Sequence, residues 1–207
     1  MKKLSFLALA CGFLLALIAS SSRAQNATPE VLVKSVTTEV LSIIRQNKDP
    51  RDGNAKKIAE LVETRILPHF DFTRMTQLAM GRNWRAASPE QQKAITAEFK
   101  TLVVHIYSAS LTNYRDQTIE FLPLRMAPGE TEVTVSSVVK QSGAQPIAIA
   151  YKLAQEPSGW KVYNVTIDGV SLIITYRDTF ANLVRDRGVD GLIRALATKN
   201  RQNDAPA

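Results

Sequence analysis

Residues 119–167 carry four strand patterns joined by short turns, and this block limits the fold more than any other part of the chain. Glu132–Lys140 puts Val133, Val135, Ser137 and Val139 on one side. Pro146–Leu153 does the same with Ile147, Ile149, Tyr151 and Leu153, the period-two alternation of a strand with one buried face. Ile119–Leu124 comes before them, and Gly159–Ile167 follows the turn Glu156-Pro157-Ser158-Gly159. Connections this short favour antiparallel pairing over crossover helices. A sheet with one apolar face has to be covered, and the flanking sequence supplies helices. The expected class is α+β: a curved antiparallel sheet of about four to five strands covered by several helices.

The helices are legible from their caps and their period. Thr28-Pro29 opens the first, which places Leu32, Val33, Val36, Val40, Ile43 and Ile44 on one face. After the turn Asp49-Pro50-Arg51-Asp52-Gly53-Asn54, a second carries Ile58, Leu61, Val62 and Ile66 and stops near Pro68. A shorter one spans about Phe72 to Met80. The longest begins at Ser88-Pro89-Glu90-Gln91, a capping box with proline at the first helical position. It reaches Tyr114, a rod of roughly 39 Å at ~1.5 Å per residue. Its stripe holds Ile95, Phe99, Leu102, Val103, Ile106 and Ser110, widened by Tyr107 and Leu111. A last long helix, about Val170 to Arg187, presents Leu172, Ile173, Tyr176, Phe180, Leu183 and Val184, and Gly188 is placed to end it. Asp190 then caps a short helix through Leu196, and the polar tail is expected to fray from Lys199.

The N-terminus predicts the compartment. Met1-Lys2-Lys3 is basic, Leu4–Ala19 is almost wholly apolar, and Ser22-Arg23-Ala24 has small residues where a signal peptidase reads. The apolar run is shorter than the ~20 residues of a membrane span, so cleavage after Ala24 and export to the periplasm are expected. Residues 25–207 then form one domain. Cleavage removes Lys2, Lys3 and Arg23, so 26 basic residues become 23 against 19 acidic ones and the net charge falls from +7 to about +4. The remaining Lys and Arg are scattered and form no stripe, which argues against nucleic acid as a partner. The single cysteine, Cys11, leaves with the leader, so the exported chain depends on a packed core and carries no thiol chemistry.

Catalytic patterns are sparse. The two histidines, His69 and His105, form no HExxH, and zinc is improbable without cysteine. No glycine pattern makes a dinucleotide or ATP phosphate cradle. Gly169 and Ser171 begin a nucleophile elbow, but Ile173 breaks it. His69 and Asp71 could pair on extended backbone; in a helix start, Asp71 instead caps or pairs with Arg74. An isomerase-like enzyme in a cone-shaped sheet needs a titratable pair inside the cone, and the inward strand positions read Val, Ile, Tyr and Leu. Binding therefore ranks above catalysis, with that enzyme and a ligand-free periplasmic interaction module as the alternatives.

Several blocks, in order, resemble the MlaC family, also called the toluene-tolerance auxiliary family. They are Pro68-His69-Phe70-Asp71-Phe72, Gly81-Arg82-Asn83-Trp84-Arg85, Ser88-Pro89-Glu90-Gln91-Gln92, Phe99 and Tyr107. Gly159-Trp160-Lys161-Val162-Tyr163-Asn164-Val165 and Ile167-Asp168-Gly169-Val170-Ser171-Leu172 complete the match. Asn164 stands where the family usually has Asp, and Met80 where leucine is common. The resemblance implies a periplasmic phospholipid carrier, monomeric, with no cofactor and with lipid as cargo. It further implies an inner-membrane ABC transporter complex of membrane-anchored substrate-binding subunit, permease and ATPase, and an outer-membrane lipoprotein complex, between which the carrier maintains outer-membrane asymmetry. The missing phosphate-binding motif agrees with an ATPase on a separate chain.

For such a carrier the expected acyl-chain wall is the strand face opposite the two long helices. It comprises Val133, Val135, Val139, Ile147, Ile149 and Tyr151 with Phe99, Leu102, Ile106, Leu172, Ile173 and Tyr176. The same residues would equally fill an ordinary core. Tyr107 and Tyr114 suit the mouth, where an amphipathic ring meets a headgroup boundary. Arg82, Trp84 and Arg85 form either a docking loop or a turn held by a packed tryptophan.

Overall fold

The computed structural model describes residues 27–46, 60–112 and 117–204. The leader at residues 1–24, the turn at 49–54, the start of the second helix at Ile58, and Tyr114 lie outside them. Helix α1 (Pro29–Gln46) is capped as its sequence predicts, with Val31 N donating to Thr28 Oγ1 at 3.3 Å. The second helical region continues as a π-helical stretch (Val62–Ile66) and a 3₁₀ turn (Leu67–His69). There follow α2 (Phe72–Met80), a 3₁₀ turn (Gly81–Ala86), α3 (Pro89–Thr112) and the strands, and α4 (Leu172–Asp204) closes the chain.

The five strands pair antiparallel in the order β1 (Thr118–Phe121), β2 (Glu132–Lys140), β3 (Ile147–Glu156), β4 (Gly159–Ile167) and β5 (Val170–Ser171). The α+β class is therefore established. Register aligns Val135 with Tyr151 and Val133 with Leu153, so the apolar alternation of both strands falls on one face. A bulge between Lys152 and Leu153 bends the sheet. Asp168 and Gly169, at φ 47° and 81°, form the two-residue turn between β4 and β5, for which Asp-Gly is the favoured pair because both positions need positive φ. Asp168 also exchanges hydrogen bonds with Ala148, donating N–H to its carbonyl at 2.8 Å and accepting its N–H at 2.9 Å.

Two apolar clusters divide the interior. The first joins α2, α3 and α4 through Met75, Ile95, Phe99, Leu102, Ile173 and Phe180. Phe99 meets Tyr176 and Phe180 edge-on at 5.0 and 5.2 Å between ring centres, the arrangement aromatic quadrupoles prefer. The second lies on the inner sheet face and holds Val33, Val133, Val135, Leu153, Val162, Val165 and Leu172. Arg74 of α2 stacks 3.6 Å over the Tyr163 ring and reaches Glu132 at 2.6 Å, tying α2 to β2 and β4.

The caps are where the sequence puts them. Ser88 N donates to Gln91 Oε1 at 3.0 Å and Gln91 N to Ser88 Oγ at 3.2 Å, the reciprocal pair of a capping box. Asp71 accepts from Arg74 N at 2.9 Å and so caps α2. Asp71→Ala is expected to cost about 1 kcal/mol, read as a lower urea midpoint at unchanged slope. The Asn164 side-chain oxygen accepts from Ser171 Oγ at 3.0 Å. An amide and a carboxylate serve that role alike. Ser171 in turn accepts from Ile174 N at 3.3 Å and starts α4.

The C-terminus differs from its sequence reading. Gly188, at φ 68°, breaks α4 where expected, but helix then runs to Asp204 instead of fraying from Lys199. Asn200 is buried and donates through Nδ2 to the backbone oxygen and Oε2 of Glu98 at 2.9 and 2.7 Å. A single buried amide holds the last turns to α3, a contact that a polar composition does not disclose.

Candidate functional site

An apolar cavity of about 270 Å³ lies between α1 and the inner sheet face. From α1 come Leu32, Val33, Val36 and Val40, the face its helical period predicts, with Thr37 and Leu41 beside them. The sheet supplies Ile119, Val139, Ile149, Tyr151 and Val162, one or more from each of β1 to β4. Ile66, His69 and Phe70 close one end. Phe70 bridges to Val162, and Asp71 N donates to Val162 O at 2.9 Å. The stretch before α2 is thereby laid along β4, and His69 is turned toward the cavity.

The polar groups of the lining are few. Burial pushes the Tyr151 phenol above its ordinary value. Burial, with the Lys161 ammonium beside it, holds His69 below the ordinary imidazole value, opposed by the Glu39 carboxylate. The folded protein therefore takes up this proton less readily than the unfolded chain. The stability it contributes is present above the reference value of 6.5 and is lost as pH falls through the lower folded value. Thermal melts between about pH 8 and 5 should fall more steeply for the wild type than for His69→Gln; parallel curves would remove His69 from that pH response. Among the described residues, the lining has no carboxylate and no cluster capable of holding a metal ion.

Of the expected wall, Val139, Ile149 and Tyr151 lie on this cavity. Phe99, Leu102, Ile173 and Tyr176 do not: they pack in the three-helix cluster, away from the sheet face. Val133, Val135 and Leu172 belong to the solid part of the sheet-side core. Ile106 and Ile147 are each 40% exposed. Over this cavity the covering element is α1, aided by the residues before α2; the aromatic stripes of the two long helices pack against each other and α2, and only Leu172 and Tyr107 of those helices reach the sheet-side core. Tyr107 sits half-buried between the two clusters instead of at a mouth, and burial raises its phenol. Trp84 packs on the three-helix cluster, with Arg82 and Arg85 exposed beside it. Leu32, Val33, Val36, Val40, Ile66 and His69 also line this cavity, and the sequence reading did not include them. The amphipathic period of α1 was the available signal.

Fold and cavity together define the class: an α+β binding domain with an apolar pocket between an amphipathic helix and an antiparallel sheet. The chain belongs to the MlaC protein family, whose pattern matches residues 34–198. It is 27% identical to the toluene tolerance protein ttg2D of Pseudomonas putida over 164 residues, 79% of this chain and 76% of that one. With the intermembrane phospholipid transport system binding protein MlaC of Haemophilus influenzae it shares 22% identity over 186 residues, covering 88% and 87%. Its structure matches that of the phospholipid-binding protein from Ralstonia solanacearum, solved in complex with a phospholipid. The TM-score is 0.79 at 40% identity, over 86% of this chain and all of that one.

Proposed function

We propose that this protein is a periplasmic phospholipid carrier that moves lipid between an outer-membrane lipoprotein complex and an inner-membrane ABC transporter, as a monomer and without a cofactor. The observation that carries the proposal is the apolar cavity under α1, in a chain 40% identical to a protein of the same fold that holds a phospholipid. Its acyl-chain wall is Val36, Val40, Val139, Ile149 and Tyr151 with their neighbours, and the headgroup lies toward the polar end at His69.

The energetics fit a passive carrier. Burying a methylene is worth ~0.8 kcal/mol, so about thirty of them represent roughly 24 kcal/mol, too much to surrender to water in transit. Because cavity and bilayer are both apolar, exchange between them lies near zero net free energy, and direction is set by the partners.

Purification of the exported form without detergent, followed by solvent extraction and mass spectrometry, tests the reading. Phospholipid near one molecule per chain is expected. A folded protein with none would overturn it.

A further inference from the structure

The break in α4 creates a second concavity that the carrier reading leaves unused. At Gly188 the backbone takes φ 68° and ψ 178°, and the Arg187 side chain is carried over the start of the next helical stretch. A Cβ placed on Gly191 would lie 2.3 Å from Cβ of Arg187, so this approach demands glycine. Gly191, Ala195 and Thr198 floor an open groove of about 390 Å³, and Arg187, Arg194 and Lys199 stand around it. It shares no lining residue with the apolar cavity.

The charges in the groove have no work in the fold. Among the described residues, Arg187, Arg194 and Lys199 are exposed and make no ion pair. The nearest acids along the helix are engaged elsewhere, Asp186 with Arg185 at 3.0 Å and Asp190 with Gln91 at 2.7 Å. Arg201 adds a fourth cation at the margin, where it donates to Thr198 Oγ1 at 3.0 Å. Cations gathered around a floor of small residues repel one another, and an anionic occupant relieves that repulsion.

We propose that this groove docks an acidic segment of a partner protein. The inference rests on the carrier reading, because a carrier needs a docking surface that leaves its lipid pocket free. A peptide fits better than a bilayer for two reasons. The cations surround a concavity, and the small floor lets a backbone come close while guanidinium groups take carboxylates in paired hydrogen bonds. An amphipathic helix anchors in a bilayer interface with large apolar side chains, and the groove offers no apolar side chain larger than that of Ala195.

The test uses the exported protein with its bound lipid and a fluorescein-labelled octaglutamate peptide, read by anisotropy. Arg194→Glu with Lys199→Glu is expected to weaken binding at least about tenfold, with phospholipid per chain unchanged. Lys34→Glu with Arg125→Glu alters the net charge equally at exposed sites outside the groove and should cost less than about twofold. Equal losses in the two variants, or unchanged binding in the first, would overturn the proposal. So would a groove variant that keeps the peptide but no longer sediments with phosphatidylglycerol vesicles. Absence of phospholipid from the wild type would sink the carrier reading while leaving the peptide result intact, so the two failures are distinguishable.

Discussion

A double variant with tryptophan at Val36 and Ile149 should purify with less than about a tenth of the phospholipid carried by the wild type. The two side chains enter the cavity from opposite walls, one from α1 and one from β3, and together they take up much of its free volume. Both stay apolar, so neither leaves a polar group stranded. Overpacking of this kind costs typically ~1–3 kcal/mol, and here the cavity itself offers room for the rings, which keeps the loss toward the low end. The measurement is lipid phosphorus per folded chain, with circular dichroism to establish the fold. Wild-type lipid content in a folded variant would show that acyl chains lie elsewhere. It would also remove the argument that α1 and the sheet form the wall.

Phe99→Ala should have the opposite profile: a large loss of stability with little change in lipid per folded chain. Phe99 is fully buried at the centre of the three-helix cluster and touches Tyr176 and Phe180 edge-on. Truncating such a ring costs ~3–5 kcal/mol from lost transfer energy and the residual cavity. For a chain of this size each kcal/mol moves the midpoint by about 2–4 °C, so a fall of roughly 10 °C is expected by calorimetry. Lipid content should hold because the cavity lining contains no residue of α3 or α4. A folded Phe99→Ala protein stripped of phospholipid would place the binding site between the long helices and the strand face, where the sequence first suggested it.

The two variants separate two clusters that look alike in sequence. Ile95, Phe99 and Leu102 repeat along α3 much as Leu32, Val36 and Val40 repeat along α1. Both patterns announce a helix with one buried face, and neither names its partner. In the structure the aromatic stripes of α3 and α4 are matched to each other, whereas the aliphatic face of α1 meets the sheet across a gap. Bulky rings fill the space between helices; short valine side chains leave room. That difference in side-chain volume explains why the cavity sits under the shorter helix.

The sequence by itself determined what depends on neighbours along the chain. The caps at Thr28, Asp71 and Ser88, the inward side of β2 and β3 and the break at Gly188 all follow from local rules and reappear in the structure. Family membership was legible for the same reason, since its blocks are contiguous. Tertiary structure alone decided which helix covers the sheet, that His69 joins the pocket wall, that Asn200 secures the final turns, and that Arg187 folds over Gly191. Each of these depends on a contact between residues distant in sequence or on a backbone break. Periodicity records that a face is buried, and it does not record what buries it.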